Sequence, residues 1–117
     1  MNELLDELRR FHSRAEALST LAEEAAQGTR SEEYAKAEYK RLKEDIASRH
    51  KEFQRRATRE VEPWIAATFE GALRKAHIAM RAPTNTSPKN PSWTSAVYDL
   101  SLELGYHIAS IENGSKN

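Results

Sequence analysis

The sequence predicts an all-α domain: a long antiparallel helical hairpin, coiled-coil-like, packed with two shorter helices into a bundle. Three observations carry that prediction. Only 4 glycines and 4 prolines occur in 117 residues, and the breaks they suggest fall at Gly28, at Pro63, over 83–91 and at Gly114. Between those breaks the chain is rich in Ala, Glu, Leu, Lys and Arg, the residues that lose least on entering a helix. Its apolar residues recur at steps of three and four. The spacing places helices at about 2–27, 30–60, 63–81 and 92–112 of one domain over 1–112, with 113–117 a flexible tail.

In the first segment Leu4, Leu8, Phe11, Ala15, Leu18, Ala22 and Ala25 form a heptad stripe. Asn2 is a suitable cap at its start. Gly28 can end it in a left-handed conformation, and Thr29 with Glu32 reads as a capping box for the next helix. There Tyr39, Leu42, Ile46, His50, Phe53 and Ala57 share a stripe. So short a turn forces the two arms antiparallel. The expected pairs are Ala22 with Tyr39, Leu18 with Leu42, Ala15 with Ile46, Phe11 with His50, Leu8 with Phe53 and Leu4 with Ala57. Arms of about 40 Å would outrun the other two helices.

The second helix is also the basic one, with Lys36, Lys40, Arg41, Lys43, Arg49, Lys51, Arg55, Arg56 and Arg59. One reading is a nucleic-acid stripe through Arg49, Lys51, Arg55, Arg56 and Arg59. The plainer reading is a solvated face. Glu32/Lys36, Lys40/Glu44, Arg41/Asp45 and Glu52/Arg56 are four apart and should neutralise it locally. No aromatic residues interleave with the charges to stack bases.

Pro63 should start or kink the third helix, because it has no N–H to donate. Val61, Ile65, Phe69, Ala72, Leu73, Ala76 and Met80 form its inner face, and Trp64, Ala67, Gly71 and Ile78 a second stripe. The last helix should be capped by Ser92 and bury Trp93, Val97, Leu100, Leu104, Ile108 and Ile111. Alternation from Tyr98 to Ile108 competes as strand periodicity. A lone strand has no partner for its backbone groups, so helix is expected. Helix places Tyr98, Leu102, Tyr106 and Ala109 opposite the main face, beside Gly105.

Lys plus Arg and Asp plus Glu number 18 each, so no net field steers the chain to nucleic acid or anionic lipid. There is no cysteine, no apolar run approaching a membrane span, and no basic-then-apolar leader pattern at Met1–Asp6, so a cytoplasmic protein away from membranes is expected. His12, His50, His77 and His107 show no convergent ligand spacing. No phosphate-cradling glycine loop or nucleophile elbow is present. Neither enzyme activity nor a metal or cofactor is expected.

The leading expectation is therefore a non-enzymatic helical module for protein–protein contact, homo-oligomeric, using Trp64, Gly71, Tyr98, Leu102, Gly105 and Tyr106. Tyr and Trp dominate interface energies, and the glycines would permit close approach of a partner helix. The alternatives are a small inhibitor or adaptor, of the kind mobile elements encode, docking on a larger host complex, and the nucleic-acid binder.

Overall fold

A computed structural model describes residues 3–28, 32–55, 62–81 and 90–114. Within them the chain forms four helices: α1 (Glu3–Ala26), α2 (Glu32–Arg55), α3 (Pro63–Ala79) and α4 (Pro91–Glu112). The alternation from Tyr98 to Ile108 lies wholly inside α4, so helix prevails over strand.

The punctuation works largely as its chemistry requires. Gly28 has φ 78°, a conformation costly to other residues, and its N–H donates to the Ala25 carbonyl to close α1. Pro63 is the first residue of α3, where the N–H it lacks would have had no helical partner. The cap of α4 differs from expectation. Asn90, not Ser92, occupies the cap, and its side chain accepts from the Ser92 N–H at 2.9 Å. Pro91 explains the shift: it is favoured as first helical residue, which moves the cap one residue ahead of it. The proposed cap Asn2, the capping box from Thr29, and Ala57 lie outside the described residues, as does the stretch from Arg56 to Val61.

The hairpin is present. Glu7 of α1 meets Arg49 of α2, and Arg14 meets Asp45, so the arms run antiparallel. Leu18 and Leu42 line one small hollow between them, as paired in the sequence. The arms of the hairpin outrun α3, which has 17 residues, but hardly α4, which has 22 against 24 in α1. The most extensive contact in the bundle is in fact α1 along α4, followed by α3 along α4. His12 of α1 lies against Ser101 of α4, and Arg9 pairs with Glu112 at its end, so these helices too are antiparallel.

Helix α3 packs on α2 with one consistent register. Phe53 meets Phe69 edge-on at 4.8 Å, His50 meets Glu70 at 2.7 Å, and the Tyr39 hydroxyl donates to the Met80 carbonyl at 2.9 Å. His50, placed on the seam by the sequence, thus has its imidazole against Glu70 of α3. Each helix touches the next in chain order and α4 returns to α1, an up-down-up-down bundle. Across the diagonal the rings of Tyr39 and Trp93 lie 4.4 Å apart. The core between the helices is continuous, with Leu8, Ile46, Phe69, Leu73, Leu100 and Leu104 fully buried.

Candidate functional site: the outer face of α4

A helix with apolar residues on both sides must bury one side elsewhere or leave it in water. In α4 the inner side goes to the core: Trp93, Val97, Leu100 and Leu104 are buried against α1 and α3. The outer side stays in solvent. Tyr98, Leu102 and Tyr106 are 62%, 52% and 70% exposed, and their four-residue spacing lines them along one ridge. Isolated apolar side chains on a surface are ordinary, but three large ones in line are informative. Among the described residues the other exposed large apolar side chains, Tyr34 and Ile78, lie on α2 and α3.

The ridge has an acidic border. Asp99, Glu103 and Glu112 are the charged side chains of α4, which contains no Lys or Arg. On the α1 side His12 faces Glu16 at 3.7 Å, and Arg9 is engaged with Glu112 and Asp6.

The other residues singled out in the sequence do not join this ridge. Gly71 is buried in α3, and a Cβ there would meet the His107 imidazole at 3.8 Å. Gly105 faces α1, where a Cβ would stand 3.4 Å from His12. The close approach that these glycines allow is thus made inside the bundle, between α3 and α4 and between α1 and α4. Trp64 is partly buried against the core, with its indole N–H donating to Glu62 at 2.9 Å. In the basic stretch Arg49 is tied to Glu7 and Glu52 and lies over the rings of Phe53 and Phe69. Lys51 and Arg55 are exposed, and Arg56 and Arg59 lie outside the described residues.

The nearest approach to catalytic geometry was not legible in the sequence, because it joins α1 to α4. The Ser101 hydroxyl is 3.5 Å from His12 Nε2, and His12 Nδ1 is 3.7 Å from Glu16. Both spans exceed ordinary hydrogen-bond lengths, and all three residues sit mid-helix. There the backbone N–H groups are spent on helical bonds, so none is aimed at a developing oxyanion. Among the described residues no group of three or more His, Cys, Asp or Glu could hold a metal ion. No described helix is long and apolar enough to cross a membrane. Comparison with family models, with curated proteins and with solved structures finds no match to this chain.

Proposed function

We propose that the chain is a non-enzymatic protein-binding module whose contact surface is the outer face of α4. The observation that carries this reading is the solvent-exposed ridge of Tyr98, Leu102 and Tyr106 on a helix whose opposite side is already satisfied by the core. Such side chains gain most from being covered, since each removes a large apolar area from water, while the two tyrosine hydroxyls tolerate a wet rim.

The border charges bear on the partner. Twofold antiparallel pairing of α4 with a second copy would bring like flank against like flank, setting Asp99 and Glu103 beside their equivalents. Like charges at an interface work against association. A different protein with an apolar groove and a basic rim fits better, as when an adaptor or inhibitor docks on a larger complex.

Affinity capture from host lysate, run beside light scattering, tests the reading. The wild-type chain should retain a protein that Leu102→Asp and Tyr106→Ala lose, with the helical circular-dichroism signal unchanged in all three. A wild-type dimer that Leu102→Asp converts to monomer would make the partner a second copy. Identical behaviour of the wild type and both variants would sink the proposal.

A further inference from the structure

On the far side of the bundle from the α4 ridge, α2 and α3 are unequal in length, 24 residues against 17. Their shared register aligns Phe53 with Phe69 and Tyr39 with the carbonyl of Met80, the residue that caps α3. The N-terminal turns of α2, from Glu32, therefore run past the end of α3. A cleft of about 460 Å³ runs along α2 from Lys36 to Ala47, beside His77 of α3 and Trp93 of α4. Its volume is within the range of small-molecule sites, roughly 300–1,000 Å³.

The lining is cationic. Lys36, Lys40 and Lys43 are spaced by four and three, which puts them on one face of α2, and all three border the cleft together with His77 of α3. Glu44 is the single carboxylate among the lining residues. The pairing along this helix differs from the one expected from the sequence. Lys40 makes no ion pair with Glu44, Arg41 pairs with Glu38, and Asp45 pairs with Arg14 across the hairpin. Among the described residues none of the three ammonium groups has a hydrogen-bond or ion-pair partner. The His77 imidazole is held below its ordinary pKa first by burial and then by Lys43, Arg81 and His50, a sign that positive charge accumulates around the cleft.

The floor is rigid. Tyr39 and Trp93 lie under the cleft but are only 2% and 1% exposed, so neither presents an open ring face. A ligand here would be held through its charge and not by base stacking, which argues against single-stranded nucleic acid.

We propose that this cleft binds a compact phosphate-bearing anion, gripped by the ammonium groups of Lys36, Lys40 and Lys43 with His77 as a further donor. Linear polyphosphate and the phosphate tail of a nucleotide share the required chemistry. Charge-assisted hydrogen bonds from several converging ammonium groups supply the affinity. The site is separate from the α4 ridge, so either assignment can fail without the other.

Calorimetric titration with tripolyphosphate and with adenosine triphosphate, followed by NMR of the His77 ring, tests the proposal. Both probes should bind and raise the His77 pKa, because an adjacent anion favours the imidazolium. Lys40→Ala and Lys43→Ala should each weaken binding about tenfold, the loss of one charge-assisted bond. Lys40→Arg should retain most of it, and Lys51→Ala, on the same helix but away from the cleft, should change nothing. Equal affinity for the two probes assigns recognition to the phosphate chain alone, whereas a clear preference for the nucleotide assigns it to the nucleoside phosphate. The proposal is overturned if neither probe binds, if Lys51→Ala costs as much as Lys40→Ala, or if a twelve-nucleotide oligothymidylate binds tighter than both. Lys40 is exposed, so its variants should fold, and circular dichroism checks that they do.

Discussion

The Arg49 guanidinium grips both carboxylate oxygens of Glu7, at 2.6 and 2.7 Å, and this pair ties α2 to α1. Both side chains are largely covered, at 26% and 22% exposure, and the fork-on-fork geometry is the strongest that an ion pair adopts. Glu7 is the chief cause of the raised Arg49 pKa. Arg49→Ala should therefore destabilise the fold by about 1–3 kcal/mol, between the exposed-pair and buried-pair regimes. Lys51→Ala should cost under about 0.5 kcal/mol as a surface change. Urea denaturation of both variants checks this, and equal costs would mean that the pair contributes nothing beyond its neighbours.

Tyr39 supplies a second tie, between α2 and the end of α3. Its hydroxyl is buried on the Met80 carbonyl, so Tyr39→Phe leaves that acceptor without its partner and should cost about 1–3 kcal/mol. Burial pushes the phenol pKa up from 10.0. Above pH 10.0 the unfolded chain releases this proton while the folded chain keeps it, so stability should be level below that pH and fall above it. Tyrosinate absorbance should show one of the tyrosines ionising only as the helical signal is lost. Free titration of all of them in the folded state would refute the assignment.

Leu100 and Leu102 sit two residues apart in α4 with opposite fates, 0% and 52% exposed. Leu100→Asp places an unpaired carboxylate in the core and should abolish folding. Leu102→Asp should leave thermal stability within about 0.5 kcal/mol of the wild type. A comparable loss in both would move the ridge into the core and remove the proposed contact surface.

His77 links the cationic cleft to pH. Its pKa lies below the ordinary 6.5, so just under that pH the unfolded chain binds a proton that the folded chain does not. Stability should therefore decline as pH falls from 6.5 through the folded pKa, and His77→Gln should flatten that part of the profile. A His77 ring titrating at or above 6.5 in the free protein would contradict the positive surroundings described for the cleft.

What the sequence by itself determined is local. Helix positions follow from propensity and punctuation, which act over a few residues: Gly28 ends α1, Pro63 begins α3, and steps of three and four mark Leu8, Leu18, Leu42 and Ile46 as core. The ridge of Tyr98, Leu102 and Tyr106 was legible for the same reason, since helical periodicity alone sets those residues opposite Leu100 and Leu104. Tertiary structure decided which faces meet. Nothing in the spacing says that α1 packs more extensively with α4 than with α2, that Gly71 and Gly105 are closed by His107 and His12, or that His50 chooses Glu70. The lysine cleft is the clearest case. Lys36, Lys40 and Lys43 are spaced for a common face in any helix, but only the closed bundle brings His77 of α3 and Trp93 of α4 beside them to line a cleft. Ion-pair choice and the walls of a cleft depend on distances between segments remote in the chain, and those distances exist only once the bundle has closed.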